Sequence, residues 1–346
     1  MIRTTELAPL GGAPFDGGAL FAFLGARAVP GVERFDGVTY RRSLALERGS
    51  AVLELTPHGK GVRCTLELER PADEVEARVR CRRLLDLDTD LTVVEAQLSR
   101  DPVLGPLVER RRGLRVPSTV DGFELAVRAV VGQQVSVAGA RTVLGRLVAM
   151  YGEPFAGAEG LNRHFPSPAA LAEADPASLP FPRVRGEALR SLARLVIEGR
   201  LDLEPGADGA TARASLLGIR GVGPWTASYI GMRALADPDA WLPGDVGLRS
   251  ALQRLGHPSD DTAALQLSEG WRPWRSYAVV HLWATLQPAY AASSRAAHKV
   301  ALSGSGRFLP TSYGDMALSP SRMTNRSYRR LTARRALDRL RGRDDE

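Results

Sequence analysis

Residues 216–227 read Leu216-Leu217-Gly218-Ile219-Arg220-Gly221-Val222-Gly223-Pro224-Trp225-Thr226-Ala227, the pattern of a tight turn between two helices. Upstream, Asp208 is placed to cap a short helix running through Ala214 to Leu217. Gly218, free to take a positive φ, is expected to end it. Gly221 and Gly223 leave the turn backbone bare on both sides of Val222, so a bulky group can approach its N–H groups. Pro224, with a fixed φ and no N–H, suits the first position of the next helix, expected from Trp225 to about Leu235. Free N–H groups and the positive end of a helix dipole together form an anion site. In a chain of net charge +7, the anion to expect is a nucleic-acid phosphate.

Outward from this turn the chain divides into three. From about Leu91 it reads as helix after helix, broken by Pro and Gly. Phe123 to about Met150 is the longest run, interrupted near Gly132. Ser167-Pro168 opens another, Gly186 to Ile197 the next, and Thr262–Glu269 and Trp274–Leu286 follow the turn. Arg110-Arg111-Arg112-Gly113 closes a helix with cations at its negative end, read as a dipole complement on a solvated surface. Residues before about 88 form an α+β unit: Val62, Cys64, Leu66 and Leu68 alternate with Arg63, Thr65, Glu67 and Glu69, as in a strand with one face buried. Tyr40–Leu46 and Ala51–Thr56 are the expected neighbours. After Pro71, with Asp73 as cap, Val75, Val79 and Leu84 space a helix that covers the sheet. The expected organisation is an α+β domain at 1–88, an all-α domain at 89–289 and a basic extension at 290–346, with no internal repeat.

Charge placement says more than its total. Residues 290–346 hold 12 Lys+Arg against 5 Asp+Glu, which leaves 34 of each sign and no net charge in residues 1–289. DNA binding must therefore come from local geometry, with the extension adding salt-dependent, non-specific affinity for phosphates. That extension carries a flexible-linker signature, Ser303-Gly304-Ser305-Gly306, before a basic stretch at Tyr328–Leu337 that reads as a helix or a solvated tail. Only two lysines occur, Lys60 and Lys299. Two cysteines, Cys64 and Cys81, exclude a disulfide framework and a Cys-rich metal site, and both read as small core residues. No apolar run is long enough to span a membrane, and Ala19–Leu24 follows two acids, unlike a signal peptide. A cytoplasmic, DNA-associated protein is the expectation.

Asp245 follows Leu242-Pro243-Gly244 and precedes Val246-Gly247-Leu248-Arg249, the position of a helix N-cap. Backbone N–H bonds there are expected to lower its pKa and aim an ionised carboxylate at a fixed point. Gln133-Gln134 lies at the Gly132 break of an otherwise apolar run, where an amide can cap exposed backbone.

These segments, taken together, resemble the helix-hairpin-helix DNA base-excision glycosylases, whose pattern is Leu-x-Gly-[Val/Ile]-Gly-x-x-Thr-Ala followed by a Gly/Pro-rich loop and a catalytic Asp. Val131-Gly132-Gln133-Gln134-Val135-Ser136-Val137 and Trp271-Arg272-Pro273-Trp274-Arg275-Ser276-Tyr277-Ala278 resemble segments of the DNA-3-methyladenine glycosylase II branch. The resemblance spans roughly residues 10 to 289, with four motifs in one order. It implies a small N-terminal antiparallel sheet with helices (TBP-like), followed by an all-α glycosylase domain. It implies a protein that flips alkylated purines such as 3-methyladenine out of duplex DNA and hydrolyses the N-glycosidic bond, probing DNA as a monomer.

By the same resemblance Asp245 is the catalytic carboxylate, and Trp225, Tyr229, Phe23 and Trp283 line the base pocket. Gln134 fills the gap left by the flipped nucleotide, and the N–H groups of Gly221, Val222 and Gly223 anchor a phosphate. No cofactor is implied beyond a monovalent cation at the hairpin. A cationic N-alkylpurine leaves without acid assistance, so one carboxylate suffices where sugar hydrolases need two. Val246 and Ala284 stand where the family places cleft aromatics, which implies a less aromatic pocket. Strand-nicking relatives carry a Schiff-base lysine immediately before the Thr-Ala; here that residue is Trp225, so no lyase step is expected. Two other readings remain open: a non-catalytic DNA-binding hairpin protein, and a glycosylase for deaminated or oxidised bases.

Overall fold

The computed structural model describes residues 1–157 and 160–287; the basic extension and Lys299 lie outside the described residues. The N-terminal part is a five-stranded antiparallel sheet in the order β1-β5-β4-β3-β2, built from β1 (Ile2–Leu7), β2 (Glu33–Phe35), β3 (Tyr40–Ala45), β4 (Ser50–His58) and β5 (Gly61–Leu68). The three central strands coincide with the alternating runs in the sequence, whose inward residues Leu53, Leu55, Cys64, Leu66 and Leu68 are buried. The edge strands β1 and β2 carry no such signal, because an edge with a polar outer face needs little alternation.

Two helices, α1 (Gly17–Ala26) and α2 (Glu74–Leu84), belong to this part. The buried side of α2 is Ala77, Cys81 and Leu84; Val75 and Val79 face solvent instead, at 74% and 59% exposure. Asp73 precedes α2 but accepts no capping bond, its carboxyl being buried with Oδ2 unpartnered. Cys64 and Cys81 meet in this core, Sγ to Sγ 3.7 Å, as free thiols.

The helical part runs through α3 (Leu91–Leu98), α4 (Gly105–Arg110), α5 (Gly122–Val131), α6 (Val137–Tyr151), α7 (Pro168–Ala172), α8 (Arg183–Ile197), α9 (Gly209–Gly218), α10 (Pro224–Ala234), α11 (Val246–Arg254), α12 (Asp261–Ser268) and α13 (Arg275–Ala284). The break expected near Gly132 separates α5 from α6, and Ser136 caps the latter through its hydroxyl. α10 packs on α5 and α9, and α13 packs on α11. Arg111 and Arg112 are not a bare solvated run: Arg111 Nε holds Asp16 at 2.6 Å and Arg112 Nε holds the buried Glu95 at 2.9 Å. The first of these ties the helical part to the cap of α1.

Sheet and helices also meet through buried charge. Arg42 on β3 donates to Glu124 on α5 at 2.7 Å, and Arg128 donates to Glu33 on β2 at 2.7 Å and to Glu124. The Tyr40 hydroxyl donates to Glu33. Against the upward pull of burial, Arg42 and Arg128 hold the Glu124 carboxyl down to about 2.

Candidate active site

The hairpin forms between α9 and α10. Asp208 caps α9 as expected, accepting from the Ala210 N–H at 3.1 Å. Gly218 stays inside that helix, and the left-handed residue is Gly221, at φ 94°. The reversal therefore sits three residues later than expected, where α9 is already capped by Ile219 in extended conformation. Pro224 occupies the first turn of α10 behind Gly223, which has no side chain to cap the helix. Val222 has a buried side chain and gives its N–H to the Ile219 carbonyl at 3.0 Å. The expected three-amide anchor is thus reduced to Gly221 and Gly223, whose N–H groups make no hydrogen bond among the described residues. The loop offers a cation backbone carbonyls alone, and those of Ile219 and Gly221 already accept from Val222 and Gln133.

Gln133 and Gln134 divide two tasks. Gln133 Nε2 bridges the hairpin, donating to the Gly221 carbonyl at 3.1 Å and to the Thr226 hydroxyl at 2.9 Å. Its own carbonyl accepts from Arg185 on α8 at 2.8 Å. Gln134 projects from the same turn, exposed, with φ 59°. A non-glycine residue there costs on the order of 1 kcal/mol or more, and its neighbours enforce it.

Asp245 is the N-cap of α11, reached through Gly244 at φ 73°. Its Oδ1 accepts from the Leu248 N–H at 2.7 Å and from Trp283 Nε1 at 3.0 Å; its Oδ2 accepts from Trp225 Nε1 at 2.7 Å. Trp225 comes from the first turn of α10, directly after the glycine turn, and Trp283 from α13. Three helices therefore converge on one carboxylate. Among the described residues no charged side chain bonds to Asp245. Burial pushes its carboxyl above the ordinary aspartate value, and the indole and backbone N–H groups pull it back only in part. The expectation of a lowered pKa is corrected: capping N–H bonds act as foreseen, but the group is 8% exposed and desolvation outweighs them.

Trp225 stacks on Tyr229 one turn along α10, centroids 5.0 Å apart and planes 11° from parallel. The next layer is Arg233, whose guanidinium lies 5.3 Å from the Tyr229 ring and 4.9 Å from the Phe23 ring of α1. Arg233 also donates to the Tyr229 hydroxyl and to the carbonyls of Pro117 and Ser118. Arg233 thus links Phe23 to the aromatic stack, and Phe23, Tyr229 and Arg233 border a cavity of about 60 Å³, room for a few waters. Trp225 and Tyr229 are each 4% exposed; Trp283 is half-buried, and Val246, next to Asp245, is 39% exposed. Asp245 itself stays buried, between the half-buried Trp283 and the exposed Val246. Ala284 is buried. His281 of α13 is buried and pushed down to about 4 by desolvation, with Arg111 adding to the shift.

Sequence reasoning missed Arg233, whose place depends on the Pro117 and Ser118 carbonyls of one distant segment as well as on the Tyr229 hydroxyl one turn away, and the division of labour between the two glutamines.

The AlkA N-terminal domain family matches residues 12–121, and the HhH-GPD superfamily of base excision DNA repair proteins matches residues 127–276. The chain is 46% identical over 276 residues to a Mycobacterium tuberculosis "probable bifunctional transcriptional activator/DNA repair enzyme AlkA", covering 80% of this chain and 56% of that one. It spans about half the length of that relative. It is 36% identical over 282 residues to the Escherichia coli DNA-3-methyladenine glycosylase 2, covering 79% of this chain and 94% of that protein. The fold matches a 3-methyladenine DNA-glycosylase from Archaeoglobus fulgidus with a TM-score of 0.66 at 19% identity, over 82% of this chain and 97% of that one. With the convergent Asp245, the glycine hairpin and near full-length similarity to the enterobacterial protein, the chain belongs to the DNA-3-methyladenine glycosylase 2 family within the HhH-GPD superfamily of base excision DNA repair proteins.

Proposed function

We propose that this protein is a monofunctional DNA glycosylase that removes N-alkylated purines such as 3-methyladenine from duplex DNA, acting as a monomer. The observation that carries the reading is the Asp245 carboxylate, clasped by two indole N–H groups and a helix N-terminus beside a hairpin with free amides.

Breaking the N-glycosidic bond builds positive charge at C1′ in an oxocarbenium-like transition state. A carboxylate fixed in low-dielectric surroundings stabilises that charge without reorganising. The alkylated base departs with the bonding electron pair, which neutralises its own charge. A water then bonds to C1′ and passes its proton to Asp245, whose raised proton affinity suits that second task. The indole N–H groups are spent on the carboxylate, so the base meets the rings by their faces, and Trp283 is the half-buried face beside Asp245. Exposed Gln134 fits the wedge that occupies the emptied stack. The hairpin amides of Gly221 and Gly223 hold a backbone phosphate.

Trp225 stands where a strand-nicking enzyme needs its lysine, and Lys60 lies in the β4–β5 turn. The reading therefore gives an abasic site and no Schiff base. Incubating the protein with methylated DNA is expected to free methylated purines, and Asp245→Asn to slow release by at least about 10²-fold while DNA affinity is kept. Equal release by both proteins, or release confined to DNA carrying uracil or hypoxanthine, would refute the proposal. Borohydride trapping of a covalent protein–DNA adduct would refute the monofunctional part.

A further inference from the structure

The solvent face of α8 carries Arg183, Glu187, Arg190 and Arg194 at helical spacings of four, three and four, which places them on one stripe. Arg220 approaches this stripe from the hairpin, immediately before Gly221. Arg190, Arg194 and Arg220 border one concavity of about 310 Å³ with Ser191 and Glu187. Its one acid, Glu187, is already engaged by Arg183, Nε to Oε1 3.1 Å. Among the described residues the other three guanidinium groups make no ion pair or hydrogen bond. By contrast, Arg111, Arg128 and Arg275 each hold a carboxylate.

Three permanently charged forks facing one hollow repel one another until an anion enters, and the guanidinium fork matches phosphate oxygens in pairs. Arg220 joins the hollow to the hairpin, since it directly precedes Gly221 in the turn. We infer that Arg190, Arg194 and Arg220 form a second phosphate site, taking the DNA backbone beyond the phosphate held by the hairpin. This rests on the DNA glycosylase reading above. The site has no aromatic ring or base-edge reader, so it anchors the duplex without selecting sequence or lesion. It also places positive potential on a body whose residues 1–289 are neutral in sum.

The test is fluorescence-anisotropy binding of the full chain to an undamaged duplex across a salt series, with wild type, Arg190→Ala/Arg194→Ala/Arg220→Ala and the matching triple lysine variant. The alanine variant is expected to lose affinity by about 10-fold or more at low salt, and its log–log salt slope to fall by about 2 to 3, since each phosphate contact contributes roughly 0.9. The lysine variant is expected to keep most of the slope, because the charge remains. Single-turnover base release at saturating protein should be unchanged in both. An unchanged slope and affinity in the alanine variant overturns the inference. Should the alanine variant melt early, Arg194→Glu alone carries the test, with an expected fall in slope of about 1 and an unchanged slope overturning the inference. If wild type frees no base yet the slope still falls, the catalytic reading fails while the phosphate site stands; if base is freed and the slope does not fall, the reverse holds.

Discussion

Asp245 is one residue with two duties, and its surroundings decide how they combine. As an N-cap it satisfies α11, and as an acceptor of two indole N–H groups it is held at one point between α10 and α13. Burial raises its pKa, and the proposed role in base release needs the anion, so activity is expected to be lost as pH falls through a value above the ordinary aspartate range. Trp283→Phe removes one N–H that favours the anion, a hydrogen bond to charge worth about 1.5–3 kcal/mol. The acid limb of kcat/KM is therefore expected to move up by about one pH unit or more, with roughly 10-fold lower activity at low pH. A pH–rate profile checks this, and a uniform loss with no shift of the limb would assign Trp283 to packing alone. The sign for stability is opposite: a carboxyl with a raised folded pKa weakens the fold where it is ionised. Asp245→Asn removes the buried charge and keeps an N-cap acceptor but leaves the Trp225 N–H facing an amide donor, so the two effects oppose and its Tm is expected to change by only a few degrees at neutral pH.

At the scale of elements, the hairpin depends on a partner outside itself. Gln133, from the α5–α6 turn, closes on Gly221 and Thr226, so the glycine turn is braced rather than free. The same turn holds Gln134 at φ 59°. Gln134→Gly removes that strain and is expected to stabilise the protein by about 0.5–1 kcal/mol, read as a small rise in Tm, while lowering base release if the side chain fills the vacated stack. A variant both more stable and fully active would remove Gln134 from the wedge role. The turn that carries Gln134 and the glycine hairpin are thus coupled through Gln133.

At the scale of the whole molecule, the sheet is fastened to the helical part by buried charge. Arg42, Glu124, Arg128, Glu33 and Tyr40 form one closed set across the junction. Arg42→Met leaves Glu124 and Glu33 short of a counter-charge and is expected to destabilise by about 3–5 kcal/mol, seen in denaturant unfolding. Adding Glu124→Leu should recover part of that loss; no recovery would mean that Arg42 acts through packing. This junction also bears on the aromatic stack, since Arg42, Arg128, Phe23 and Arg233 border the same small cavity.

Much of this architecture was legible in the order of residues. The glycine turn, Pro224 at the start of α10, the capping Asp208 and Asp245, and the alternation of the central strands are short-range devices. Each is set by the conformational limits of a few neighbouring residues. What the sequence could not assign depends on groups that meet only after packing. Val75 and Val79 have helical spacing, yet α2 turns its small residues inward because the sheet leaves room for Cys81 and Ala77. Gly218 and Gly221 are equally free to reverse the chain, and the contact of Gln133 with Gly221 marks the residue that does. The direction of the Asp245 pKa followed from desolvation, a property of how tightly three helices close over one side chain. The indole of Trp283 reaches it across 38 residues, and Arg42 reaches Glu124 across 82. Local grammar therefore placed the elements and the capping Asp245, while tertiary packing fixed that carboxyl's charge balance, its donors and the buried charge cluster between sheet and helices, because electrostatic energy depends on surroundings that no short window of sequence contains.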